Sequence, residues 1–308
     1  MATTIYRTIE EEIAALKRSR DAVILAHNYQ LPEIQEVADF LGDSLGLAIN
    51  ASRHPAKVVV FCGVYFMAET VSVLCPDKMV LVPDVEAGCS LAEMVTPEAV
   101  REWKRRHPDS AVLCYVNSSA AVKAESDYCC TSANAARVLQ AIPAEREVLF
   151  IPDFFLGKYL EQATGRKLHL WPGYCHAHAK IDSEEIARLK QEHPGAEFLM
   201  HPECGCLTKS MPLADKILST EGIVRYVEQS TASEFIIGTE VGIVSRLQRV
   251  APDKQFYPAG RQALCEHMKR NTLEKLVQSL ERLETVVTVP DEIARRARVP
   301  LERMLAIA

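Results

Sequence analysis

No apolar run in the 308-residue sequence approaches the roughly 20 residues needed to cross a bilayer. Its opening stretch, MATTIYRTIEEEIAALKRSR, is an acidic amphipathic helical pattern without the apolar segment of a secretion signal. A membrane partner is not expected, and the expected compartment is the cytoplasm. Low-complexity tracts are missing as well, and 48% hydrophobic with 25% charged residues is ordinary for a folded globular chain. Basic blocks are limited to short runs such as Lys104-Arg105-Arg106, and 35 basic against 41 acidic residues leave a formal net charge of -6. Nucleic acid is therefore not an expected partner.

Cysteine, by contrast, is plentiful. Ten in a chain of this length fit no small disulfide scaffold, and in a reducing cytosol they point to thiols, metal ligation or catalysis. Most should be packing residues, since cysteine is a small and readily buried hydrophobe. Cys62 in VVVFCG and Cys114 in AVLCYV, both on strand-like runs, read that way. The stretch HPECGC (201–206) crowds one His, one Glu and two Cys, but Cys204 and Cys206 have no second CxC or CxxC partner. They are expected to be a reduced, non-ligating pair.

Short apolar runs bounded by Pro, Gly or Asp alternate with amphipathic stretches, the pattern of an α/β protein with parallel sheets. The runs are VILAH (23–27), KVVVFCG (57–63), MVLVPD (79–84), AVLCYVN (111–117), EVLFIPD (147–153), KLHLWP (167–172), EFLMHP (197–202), EFIIGT (234–239) and KQFYPA (254–259). They fall into three sets of three.

The sets are copies of one another. DAVILAHNY from Asp21 aligns with DSAVLCYVN from Asp109 at an offset of 88, and HPDSAVLCYVN from His107 aligns with HPGAEFLMHPE from His193 at 86. An Asp-x4-Ser/Thr landmark follows each time: Asp39 with Ser44, Asp127 with Ser132, Asp215 with Thr220. The expected architecture is three pseudo-threefold-related, three-layer α/β units, each with a short parallel sheet, around a central active-site funnel. Their expected bounds are 1–108, 109–195 and 196–308, and the helical tail VPDEIARRARVPLERMLAIA should dock on a neighbouring unit.

After the third run of each set comes a loop with a cysteine: Cys89 in VPDVEAGCS, Cys175 in WPGYCHAH and Cys265 in YPAGRQALC, at spacings of 86 and 90. Equivalent loops at the carboxyl ends of three sheets would meet near a pseudo-threefold axis, where open α/β sheets bind ligands. Three converging thiolates with no fourth partner suggest an iron-sulfur cluster with one open iron, because structural zinc sites close with four protein ligands. Equivalent core positions inherited by triplication are the plainer alternative; the polar, Gly-containing loops argue against it.

Ser44, Ser132 and Thr220 each precede a helical run, where a hydroxyl and free N–H groups form an anion site, although an ordinary N-cap is the commoner role. The pairs His27/Tyr29, Tyr115/Asn117 and His201/Glu203 are spaced by two, so both members of each project to one side of an extended segment. They can share a cavity, and Glu203 and Tyr29 are the candidates for moving protons.

AHNYQLPEIQEVADFLGDSL (26–45), YVNSSAAVKA (115–124), CTSANA (130–135), HPEC (201–204) and MKRNTLEKL (268–276) together resemble the quinolinate synthase family, over nearly the whole chain. The resemblance implies an iron-sulfur enzyme of NAD biosynthesis in which iminoaspartate condenses with dihydroxyacetone phosphate to give quinolinate, phosphate and two waters. It implies Cys89, Cys175 and Cys265 as the ligands of a 4Fe-4S cluster with one open iron. His27, Ser44, Tyr115, Asn117, Ser132, His201, Glu203, Ser219 and Thr220 would contact substrate, with Tyr29, His201 and Glu203 catalytic. It also implies functional coupling to an aspartate-oxidising enzyme, whose reaction leaves iminoaspartate. RQALC lacks the extra CxxC spacing that some members carry around the last ligand. Rival readings are a cluster-dependent hydro-lyase on another dicarboxylate, a non-catalytic iron-sulfur sensor and a zinc protein.

Overall fold

The computed structural model describes residues 8–307. The first seven residues of the amphipathic amino-terminal pattern lie outside it; the remainder forms the helix Ile9–Ser19. Thr8 caps that helix, with Glu10, Glu11 and Glu12 in the first turn and Lys17 and Arg18 in the last, the signs that suit its dipole.

Among the described residues twelve strands form three sheets. The first contains β1 (Ala22–His27), β2 (Phe40–Gly42), β3 (Val58–Cys62) and β4 (Met79–Leu81). The second contains β5 (Ala111–Tyr115), β6 (Tyr128–Cys130), β7 (Val148–Ile151) and β8 (His169–Leu170). The third contains β9 (Glu197–Met200), β10 (Lys216–Ile217), β11 (Glu234–Gly238) and β12 (Gln255–Pro258). Every pairing between these strands is parallel, and the spatial order is the same in all three: β2-β1-β3-β4, β6-β5-β7-β8 and β10-β9-β11-β12. The central strands are buried on both faces, as parallel sheets covered by helices must be, so β3, β5 and β7 read as unbroken apolar runs.

All nine apolar runs become strands, but each sheet has a fourth, β2, β6 or β10, that the periodicity does not reveal. Two or three residues are too few for a period, and each edge strand is held by a neighbour in sequence instead. The residue immediately before each is the landmark aspartate. Asp39 accepts a hydrogen bond from the Ile24 N–H at 2.8 Å, Asp127 from Val112 at 2.8 Å and Asp215 from Phe198 at 2.7 Å. A lysine pairs with each: Lys17, Lys104 and Lys190. The threefold Asp landmark is thus a clamp between an edge strand and the first strand of its sheet.

Cys62 and Cys114 are fully buried, as packing residues should be, and burial pushes the Cys62 thiol up to about 12. The tail docks as expected. The helix Asp291–Ala306 lies on Tyr65–Leu74, Ala120–Ala124 and β6, burying Ala297, Leu301 and Met304. Arg298 donates to the Val73 carbonyl at 2.8 Å, Arg303 to that of Asp127 at 2.6 Å, and Asn134 to that of Met304 at 3.1 Å. One helix therefore joins the first two sheets.

Candidate active site

The strand order reverses between β1 and β3, between β5 and β7, and between β9 and β11, and at such switch points the carboxyl ends of the strands open a crevice. Here one cavity is shared by all three. His27 ends β1, Tyr115 ends β5 and His201 follows β9; with Tyr29, Asn117 and Glu203, two residues further on, they line the same cavity. Ser44, Ser132, Thr220, Cys89, Cys175 and Cys265 line it too. Of the expected cluster ligands and substrate contacts, only Ser219 is not part of this lining.

The three cysteine loops share one local design. The backbone N–H four residues on returns to the cysteine carbonyl: Glu93 to Cys89 at 3.2 Å, Ala179 to Cys175 at 2.9 Å and Lys269 to Cys265 at 3.3 Å. A short helical turn then follows at Ala92–Met94, His178–Lys180 and Met268–Arg270. The turn aims the N–H of Ala92, His178 and Met268 at the sulfur three residues back, which favours each thiolate. Burial works the other way and is larger, holding Cys89 up at about 12 and raising Cys175 and Cys265; Cys265 adds to it at Cys89, Glu203 and Cys89 at Cys175, and Glu240 at Cys265. Three directed N–H groups at three thiols that line one cavity fit a metal centre, whose positive charge would reverse that balance. Buried carboxylates brace two of the loops: Glu240 accepts from the Cys265 N–H at 3.0 Å, and Asp153 from that of Cys175.

Glu203 is the polar hub. Asn117 Nδ2 donates to it at 3.2 Å, the Tyr115 hydroxyl also bonds it, and His178 Nδ1 stands 3.3 Å from its Oε2 without hydrogen-bond geometry. Burial pushes this carboxyl up to about 7, the Tyr115 bond partly offsetting it. The imidazoles around it move in the opposite direction for the same reason. Burial holds His27 and His178 at about 3 and His201 well below its ordinary value. All three are neutral near pH 7. The Tyr29 N–H donates to His27 Nδ1 at 3.2 Å and the Glu203 N–H to His201 Nδ1 at 3.4 Å, so both rings carry their proton on Nε2. The Nε2 of His201 meets the Ser132 hydroxyl at 3.2 Å. The spacing of two therefore does more than place side chains on one side: it sets the tautomer.

His178 and Thr239 escaped the sequence reading. Tyr29 Oη contacts Thr239 Oγ1 and lies 3.3 Å from His178 Nε2, which is itself 3.0 Å from Thr239. Burial, with Glu203 adding, raises the Tyr29 phenol well above its ordinary value, so it stays protonated. The only signal for His178 was its place in YCHAH, three residues after Cys175.

The helix starts differ from the expectation. Ser44 and Thr220 are the first residues of Ser44–Arg53 and Thr220–Gln229, and the caps are the residues before them: Asp43 accepts from the Gly46 N–H at 2.9 Å and Ser219 from Gly222 at 3.1 Å. Capping by the preceding residue frees the Ser44 hydroxyl for the cavity, while Asn28 donates to that of Thr220 at 2.9 Å. Ser132 stands three residues before Ala135–Ala141.

Cys204 and Cys206 correct another expectation. They are joined in a disulfide rather than reduced, their Cα atoms 5.3 Å apart, within the range the bond requires. Gly205 between them makes the turn feasible, because a Cβ there would sit 2.8 Å from the Cα of Ala179. As a disulfide the pair offers no thiolate ligand, and HPECGC serves the cavity through His201 and Glu203 alone.

Comparison with known proteins bears on this site. The family model NadA, Quinolinate synthetase A protein, matches residues 11–306. A quinolinate synthase of Thermus thermophilus is 56% identical over 301 residues, covering 97% of both chains. That of Pyrobaculum aerophilum is 53% identical over 306 residues, covering 97% of this chain and 100% of its own. Quinolinate synthase 2 of Methanosarcina acetivorans is 51% identical, covering 98% of this chain and 96% of its own. Matched over almost its whole length by model and relatives alike, the chain belongs to the quinolinate synthetase A family.

Proposed function

We propose that the cavity carries out the quinolinate synthase reaction of NAD biosynthesis, condensing iminoaspartate with dihydroxyacetone phosphate into quinolinate as phosphate and two waters leave. Family membership over almost the whole chain supports the reaction. Within the site, the observation that carries it is the meeting of three N–H-braced cysteine loops with a buried carboxyl at about 7. Cys89, Cys175 and Cys265 would hold a 4Fe-4S cluster through three thiolates. When bound, such a cluster supplies an open iron as a Lewis acid.

Both substrates are anions, yet among the described residues neither Lys nor Arg lines the cavity. Recognition then falls to neutral donors: the Nε2–H of His27 and His201, the amide of Asn117, the phenols of Tyr29 and Tyr115, and the hydroxyls of Ser44 and Ser132. The amino ends of Ser44–Arg53 and Thr220–Gln229 add partial positive charge. Fixed dipoles from buried side chains stabilise charge without the strong long-range pull of a cation, which suits a site that must release phosphate.

Enamine formation, isomerisation and dehydration each move a proton. Glu203, half-ionised near neutral pH, takes and returns protons at the substrate carbons. Tyr29 delivers its proton to a departing hydroxide, and His178 restores it from Nε2, beside Thr239, as its Nδ1 takes up the proton that the Glu203 carboxyl, 3.3 Å away, has removed from a substrate carbon. Cytoplasmic action is part of the proposal, supported by the eight unpaired cysteines. Supply of the labile imine by an aspartate-oxidising enzyme is part of it too. The test is anaerobic assay with freshly generated iminoaspartate and dihydroxyacetone phosphate: quinolinate and phosphate should appear one for one. Absence of both would end the reading.

A further inference from the structure

On the outer rim of the second sheet, away from the cavity, three potential metal ligands converge. His107 ends the helix Pro97–Arg106, Glu147 precedes β7, and His169 begins β8. Glu147 Oε2 lies 3.1 Å from His107 Nδ1 and 3.5 Å from His169 Nε2, and one ligand atom from each residue falls within 4.8 Å of the other two. Ligands bonded tetrahedrally at about 2.0 Å stand about 3.3 Å apart, so two edges are close to the required length already. The third, between His107 and His169, is within 4.8 Å, and the His169 side chain is half-exposed.

The rim is also organised. Trp103 stacks flat on His107, centroids 3.8 Å apart, and lies 4.8 Å from the His169 ring, so one indole supports both ligands. Its Nε1 donates to Ser110. Arg146, which shares the surface groove with His107 and Glu147, is turned onto the carbonyls of Asp109 and Ser110.

The triplicated fold supplies an internal comparison. In the third sheet His193 ends its helix in the same backbone conformation as His107 and lies 3.6 Å from Glu234. The register of β7 with β8 pairs Leu149 with His169, and that of β11 with β12 pairs Ile236 with Tyr257, so Tyr257 occupies the place of His169. Its hydroxyl donates to Glu234 at 3.4 Å and its ring stacks on His193. A His–Glu corner is thus a repeated part of the fold, but among these two copies only the second adds another imidazole.

We propose that His107, Glu147 and His169 form a site for a zinc-class divalent cation that staples the helix Pro97–Arg106 to β7 and β8. Two imidazoles and one carboxylate select zinc, nickel or copper over magnesium or calcium.

Wild type, His169→Tyr and Glu147→Gln, cluster-loaded and anaerobic, are dialysed against graded zinc in excess magnesium, and bound zinc is read by elemental analysis. His169→Tyr copies a side chain the third sheet already accommodates, so the fold should hold, and none of these residues lines the catalytic cavity. Zinc held at Cys175, His178 and Glu203, whose ligand atoms also approach within 4.8 Å, cancels in the difference. Wild type should saturate at one more zinc per chain than either variant, and zinc should raise its melting temperature more than that of His169→Tyr. Equal uptake in wild type and His169→Tyr, or equal melting shifts, overturns the proposal.

Discussion

Glu203 shows how one side chain acquires a role from its surroundings. A carboxyl raised to about 7 by burial is half-ionised where the enzyme works, so kcat should change with pH about a midpoint near 7. Glu203→Gln should remove that dependence and lower kcat by roughly 10²- to 10⁴-fold, with quinolinate formation against pH as the measurement. Stability follows the same shift. The folded protein holds the Glu203 proton at pH values where the unfolded chain has lost it. Stability from this group is therefore greatest below about pH 4.5 and declines as pH rises to about 7. Glu203→Gln, which has no proton to lose, should gain stability relative to wild type across that window in denaturant titrations; a constant difference would contradict the assignment. What was legible here followed a rule. Residues recurring in all three copies, the pairs spaced by two and the three cysteines, could be read before any coordinates. His178 could not, because Ala92 and Met268 stand at its place in the other copies. Thr239 was hidden at the end of an apolar run, and the Cys204–Cys206 bond depends on a turn that only the packing of Gly205 against Ala179 explains.

At the scale of the element, adjacent hydroxyls at one helix end divide the work. Ser219 caps Thr220–Gln229, so Ser219→Ala should lower stability by about 1 kcal/mol in a denaturant titration with KM little changed. Ser44 caps nothing, so Ser44→Ala should raise KM for at least one substrate with stability unchanged. The Asp clamps make a separate prediction. Asp127→Ala leaves the Val112 N–H without its 2.8 Å acceptor and Lys104 without its partner, and should cost about 1–3 kcal/mol. The nine strands that fall within apolar runs were legible because most of them are buried parallel strands. The edge strands β2, β6 and β10 were not, being held by an aspartate rather than by their own composition. The same Asp-x4-Ser/Thr spacing that suggested an anion site was half architecture, half cavity.

In the whole molecule, three copies of one sheet order surround one cavity, and the tail helix Asp291–Ala306 spans the first two. Deleting residues 290–308 would expose the faces that receive Leu301 and Met304 and leave Glu125 without Arg296. A stability loss of at least about 3 kcal/mol should follow, read as a lower melting temperature. Repeat arithmetic on the sequence foretold the threefold plan, because copies of a fold bring equivalent loops to equivalent places. It could not foretell the N–H groups aimed at each sulfur, which arise from the short turn after each cysteine. The central claim, that the three loops jointly hold one cluster, is tested most directly by iron and sulfide content with visible and EPR spectra of anaerobic protein. Wild type and Cys130→Ala, a packing change, should carry about four irons and four sulfides per chain, and Cys89→Ala, Cys175→Ala and Cys265→Ala should each lose the cluster. A full, spectroscopically unchanged cluster in any of those three would contradict the account.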